Sequence, residues 1–182
     1  MPKLIKNDQV VVDEWKVLRL AEGETPETVK LPAGPVLVPV SVWTARRSCL
    51  VCSEYEHGWP LGVWLAADEG PESIARDIDD FTVIGVELSN FTDGRGYSTA
   101  RLLRERHGYD GELRAIGDVL RDQLFYLRRV GFDAFAVRAD KDIDAALAGL
   151  YDFTAAYQSA ADPGLRLYRR PTQASTTLAA AA

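Results

Sequence analysis

Cysteine and histidine are nearly missing from this chain of 182 residues: Cys49, Cys52, His57 and His107 are the whole supply. Two cysteines cannot build a disulfide framework, and so sparse a use of thiols fits a reducing, cytoplasmic setting. A tetrahedral zinc site would have to recruit all four of these side chains, so no metal is expected. No apolar run approaches the ~18 residues that a membrane helix needs, and no charged-then-apolar segment opens the chain as a signal peptide would. Excess positive charge is missing too. With 21 Lys and Arg against 27 Asp and Glu the net charge is −6, the wrong sign for a protein that grips nucleic acid by its phosphates. What is present, 47% apolar and 26% charged residues, is the make-up of a folded globular protein.

The pattern along the chain predicts an α/β fold with a mostly parallel sheet, open or partly barrel-like, in one domain over residues 1–170. Val10-Val11-Val12 and Trp15 to Leu18, broken at Asp13-Glu14, read as a small amino-terminal hairpin or edge pair preceding the main fold. Val36 to Val40 reads as a short strand and Ser41 to Cys52 as a helix. Regular alternation begins at Leu61. Strands are expected at Leu61–Ala67, Val83–Leu88, Leu113–Ile116 and Ala134–Val137. Between and after them, helices are expected over Pro71–Asp80, Ser98–His107, Asp118–Val130 and Asp142 to about Tyr157, with Asp118 as a cap and Gly108 and Gly131 as stops. Strand–helix alternation of this kind builds parallel sheets and brings the strand ends to one rim. A complete eight-fold barrel needs about 250 residues, more than this chain has. Residues 171–182, Ser/Thr followed by oligo-alanine, read as a disordered tail.

Arginine outnumbers lysine sixteen to five, and nine arginines fall between Arg95 and Arg138. Arginine holds carboxylate, sulfate or phosphate through two parallel hydrogen bonds. The densest candidate site is Phe91-Thr92-Asp93-Gly94-Arg95-Gly96-Tyr97-Ser98, between a buried strand and a helix start. Glycines admit a ligand close to the backbone, and a helix start presents its positive end. Asp93, Gly94, Arg95, Gly96 and Ser98 are therefore expected to bind a small anion, joined from neighbouring strand ends by Arg114, Asp118 and Arg138. The plain alternative is a tight turn in which Asp93 and Arg95 serve the backbone and each other, with Arg114 turned sideways into a buried ion pair with Glu87.

Other motifs carry less. Gly94 to Thr99 approaches a dinucleotide fingerprint, but threonine stands where the third glycine belongs, and the motif starts six residues after Leu88. Cys49-Leu50-Val51-Cys52 has dithiol spacing with Arg46 and Arg47 upstream, yet its apolar spacer reads as helix packing. His107 beside Gly108 suits a helix carboxyl terminus without any metal. No haem or iron–sulfur ligation spacing is present, so no cofactor is readable.

Phe91 to Ser98, Ala100 to Arg104, Gly111 to Leu120, Asp122-Gln123 and Gly131 to Phe135 follow one pattern. It resembles a bacterial family of unknown function that carries the label of an oxidoreductase of sulfite reduction, over roughly Asp13 to Val137 and most densely from Val86. The Cys49/Cys52 pair lies outside that pattern. The resemblance implies work in assimilatory sulfur metabolism, with sulfite, sulfate or adenylyl sulfate as the anion. Two roles follow: an oxidoreductase-associated enzyme or anion-binding subunit acting on a sulfur oxyanion or its nucleotide ester, or a non-catalytic accessory that docks on sulfite reductase or a related reductant protein. An exposed apolar patch at Trp59, Trp64 or the amino-terminal segment would favour docking.

Overall fold

A computed structural model describes residues 2–50 and 58–153 in full and the backbone of 51 and 52. The expected tail over 171–182, the last part of the fourth helix to Tyr157, and the Cys52 side chain lie outside the described residues.

Eight strands form a single sheet. In chain order they are β1 (Lys3–Lys6), β2 (Gln9–Val12), β3 (Lys16–Val17), β4 (Val36–Pro39), β5 (Leu61–Leu65), β6 (Val83–Leu88), β7 (Glu112–Gly117) and β8 (Ala134–Phe135). Across the sheet they run β2-β1-β8-β7-β6-β5-β4-β3. Strands β3 to β8 run parallel to one another, including all four expected from the sequence. The hairpin β1–β2 is antiparallel and joins β8 antiparallel as well. The sheet is thus mixed, which corrects the mostly parallel expectation: the first residues of the chain supply one whole edge. Helices α1 (Val40–Cys52), α2 (Arg95–Glu105), α3 (Arg121–Arg129) and α4 (Ile143–Gly149) complete the fold.

The amino-terminal hairpin also differs from its expected form. Its turn is Asn7-Asp8, both with positive φ (49° and 61°), the backbone that a two-residue hairpin loop demands and that Asn and Asp tolerate best. Val10–Val12 pairs back onto Lys3–Ile5, while Lys16–Val17 joins the opposite edge of the sheet beside β4. Only Asp13, Glu14 and Trp15 lie between the two edges. Four chain steps from Val12 to Lys16 cover at most ~14 Å, whereas eight strands laid flat would be about 34 Å across. The sheet therefore has to curl. It is an open, half-barrel-like sheet with its mouth crossed by a three-residue strap.

Curling separates two apolar clusters. On the convex side Val36, Val38, Val63, Leu65, Ile84, Val86 and Leu113 meet Ala100, Leu103, Leu124 and Leu127 from the helices. On the concave side Leu37, Trp64, Val83 and Ile116 pack with Trp15 and Val17. This two-sided burial is why β4 to β7 read as continuous apolar runs.

Several helix boundaries move. Pro71–Ser73 and Ile78–Asp80 are two short 3-10 turns instead of one helix, because Asp77 turns inward. Its carboxylate accepts hydrogen bonds from Trp43 Nε1 (2.8 Å) and Arg47 Nε (2.8 Å), fastening α1. The third helix starts at Arg121, with Leu120 as the preceding residue and Gln123 Oε1 accepting from the Leu120 N–H, so Asp118 is not its cap. Asp142 does cap α4, accepting from Asp144 N–H at 2.9 Å, and α4 closes at Gly149. Gly108 (φ 66°) and Gly131 (φ 114°) end α2 and α3 as expected.

Candidate functional site

Parallel strands place the connections after β5, β6, β7 and β8 along one rim, the edge at which α/β folds hold ligands. The connection after β6 is stiff. Asp93 N–H donates to the Asn90 carbonyl (3.1 Å), and Asn90 Oδ1 accepts from the Thr92 N–H (3.0 Å) and hydroxyl (2.7 Å). Asp93 accepts from Ser89 Oγ (2.9 Å), from the Arg95 N–H (3.1 Å) and from the Arg95 guanidinium at both Nε (3.0 Å) and Nη2 (2.7 Å). Those donors hold the Asp93 carboxyl far below the usual carboxylate range, Arg95 being the largest cause. Asp93 in turn raises the Arg95 guanidinium, with Asp68 of the neighbouring connection adding to it. The guanidinium stays 61% exposed while its Asp93 partner is 11% exposed.

The helix opens earlier than expected, so Arg95 and Gly96 form the first turn of α2 with Gly94 before it. The two glycines have different reasons to be there. A side chain at Gly96 would meet Leu88 Cδ2 at 2.6 Å, so Gly96 lets α2 lie close on β6. Gly94 has φ −86° and open space around it. Ser98 is exposed on α2. Phe91, in the same connection, is 57% exposed.

Arg138, after β8, is also paired. Its Nε and Nη2 bind the two oxygens of Asp140 (2.9 Å each) and its Nη1 binds Asp118 Oδ1 (2.9 Å), which drives its pKa up. Asp118 thus tethers two neighbouring connections. Lys141 lies 3.3 Å from Asp140.

Arg114 is not at the rim. It lies inside the curl, 2% exposed, with Nη1 at 2.8 Å from Asp13 Oδ1 and Nη2 at 2.6 Å from Glu112 Oε1. Trp15 lies over its guanidinium, 5.8 Å from ring centroid to Cζ, and Lys6 reaches Glu112 from β1. The pair with Glu87 does not form; Glu87 binds Arg19 at 2.6 Å, and Arg19 sits over the Trp64 ring. Sequence reasoning missed Asp13, Glu112 and Trp15 as partners of Arg114, although alternation along β7 places Glu112 and Arg114 on one face.

Elsewhere, Cys49 on α1 is exposed, unlike the packed residue its spacing suggested. Trp59 is 44% exposed, but Trp64 is buried and donates its indole N–H to the Leu18 carbonyl. Among the described residues no three His, Cys, Asp or Glu side chains stand together as a metal site, and no helix is long and apolar enough to cross a membrane.

A family model described as "Bacterial protein of unknown function (DUF934)" matches residues 62–168, more than half the chain. The chain belongs to the DUF934 family. Within it, the span of the match starts in β5 and includes the rim connection at 89–95, Asp118 and Arg138, whereas the strap and the hairpin precede it. No curated protein and no solved structure matches the chain.

Proposed function

We propose that this DUF934 protein is an accessory component of sulfite reduction that docks through its rim connection, residues 89–95, onto sulfite reductase or the protein that supplies its electrons. One observation carries the reading: Phe91 and Arg95 project, largely exposed, from a connection stiffened by Asn90 and Asp93. An aromatic ring beside an arginine on a pre-ordered loop is the composition of a protein-interface anchor. The electrostatics agree. Both rim arginines arrive already neutralised by carboxylates, which suits a protein contact and opposes the capture of a free dianion.

The second reading, an anion site for sulfite, sulfate or a nucleotide ester, is favoured by one feature: the exposed Arg95 guanidinium at the first turn of α2. Calorimetry on the purified protein separates the two. Titration with sulfite reductase and, separately, with its electron-donor protein is expected to give saturable binding to one of them that Phe91→Ala weakens at least tenfold; undiminished binding by Phe91→Ala, or no binding of either by the parent protein, would sink the docking reading. Titration with sulfite and sulfate is expected to give no heat of binding; saturable anion binding lost in Arg95→Lys would replace docking with the anion site.

A further inference from the structure

The two edges of the sheet are built differently. At one, β3 is two residues long and begins with Lys16, the short, charged form by which natural edge strands repel unwanted partners. At the other, β2 is Gln9-Val10-Val11-Val12, without a charge or a proline. In a hairpin with a two-residue loop the pair beside the loop exchanges both backbone hydrogen bonds, and the pattern then alternates. Lys6 with Gln9 and Leu4 with Val11 are therefore bonded pairs, and the series continues to the Asp13 N–H on the Pro2 carbonyl (2.9 Å). The peptide groups of Val10 and Val12 face away from β1. Among the described residues nothing takes up their N–H groups or carbonyls.

We propose that β2 pairs antiparallel with β2 of a second copy of the chain, joining the two sheets into one about a two-fold axis at Val11. The edge itself selects that occupant. Its outward peptide groups are symmetric about Val11. Setting Val10 opposite Val12 of the copy, Val11 opposite Val11 and Val12 opposite Val10 therefore satisfies all of them in four hydrogen bonds. A shift of two residues either way would oppose one of these valines with Asp8, in the turn, or Glu14, in the strap, neither of them in a strand. None of the four β2 side chains is charged, so the strand meets its copy without opposing like charges. Val12, 55% exposed, gains Val10 of the copy as a cross-strand neighbour. Val10 packs against the core on the helix side of the sheet, and α4 lies against both β1 and β2. The pairing thus also brings the two α4 helices to the same face, one on either side of the axis, and adds a helical layer to the four-residue seam.

Analytical ultracentrifugation of the full chain, with amide hydrogen exchange on the same samples, tests this. At tens of micromolar the mass is expected to be twice the 20.1 kDa of one chain, with Val10 and Val12 N–H exchanging at least a hundredfold more slowly than unstructured amides. On dilution both properties should be lost together, while the Val11 N–H, bonded to Leu4, keeps its protection. Val12→Pro removes only an outward-facing N–H, as prolines in edge strands do, and should weaken dimerisation at least tenfold. With Cys49→Ser and Cys52→Ser in the background, Val11→Cys should cross-link two copies on oxidation, because an opposed pair that shares no hydrogen bonds has its Cα atoms ~4.5 Å apart. Val12→Cys, which lies two residues along the strand from its own copy, should not. A chain that stays monomeric throughout overturns the proposal without any variant having to fold. So does a dimer that Val12→Pro leaves equally tight, or one in which Val11→Cys does not cross-link. Val10 and Val12 protection that persists in the monomer overturns it as well, and would assign the edge to a segment of the same chain.

Discussion

Arginine is bound to carboxylate both inside the curl and on its rim, and the two settings give it opposite meanings. Arg114 is 2% exposed, and its partners Asp13 and Glu112 come from the strap and from its own strand. Arg95 is 61% exposed and its partner is two residues away. In the interior the ion group spans distant parts of the chain and cannot be opened without stranding charge in an apolar surround. On the rim the pair only orients a side chain that water already solvates, so it contributes little to stability and leaves the guanidinium available to a partner. Exposure, more than the presence of an arginine, separates the buried ion group that holds the fold together from the rim pair that water solvates.

The sharpest break of this comparison is Arg114→Met. It leaves Asp13 and Glu112 without their shared cation, and a loss of about 3–5 kcal/mol is expected from chemical denaturation; an unchanged midpoint would mean that the interior tolerates charge as the rim does. Asp77→Asn probes an intermediate case, a largely buried carboxylate bound to Trp43 and Arg47. A loss of about 1–3 kcal/mol is expected at neutral pH. Arg47 is the largest cause holding the Asp77 pKa down in the folded chain. Its contribution is therefore present above the unfolded carboxyl range and lost as pH falls through the lower folded value. The gap between parent and Asp77→Asn should close below about pH 3.8, and a gap that stays constant down to pH 2 would show that the charge of Asp77 is irrelevant. The smallest effect belongs to the rim: Arg95→Ala should leave the melting temperature unchanged within error, and a clear drop would move Arg95 to the scaffold side of the comparison.

How much of this was legible in the sequence follows from the range over which each feature is determined. Strands β5 to β8 announce themselves because residues on both faces are apolar, and Asp142 and Gly131 mark helix ends by purely local chemistry. The 71–80 stretch misleads because Pro71, Ile74 and Ile78 imitate helical spacing; what decides its conformation is Asp77 reaching Trp43, 34 positions earlier. Arg114 was visible as an arginine inside a strand, but its partner Asp13 lies 101 positions away, beyond any pattern of neighbours. The stretch from Phe91 to Ser98 is where Phe91 and Arg95 stand exposed, while the purpose of Gly96 needed the Leu88 side chain beside it.

The strap has a consequence for the order in which the protein can assemble. Because it ties one sheet edge to the other, the first seventeen residues hold two appointments: Lys16–Val17 with Val36–Leu37, and Ile5–Lys6 with Ala134–Phe135. The first partner follows twenty positions behind on the chain and the second about 130. At roughly 5–20 residues per second of synthesis, the hairpin waits on the order of 7–26 s for β8 to be made. The residues that are synthesised first thus make some of the last contacts to form, and a chain interrupted before Phe135 would leave Ile5–Lys6 of the hairpin without the β8 strand they pair with.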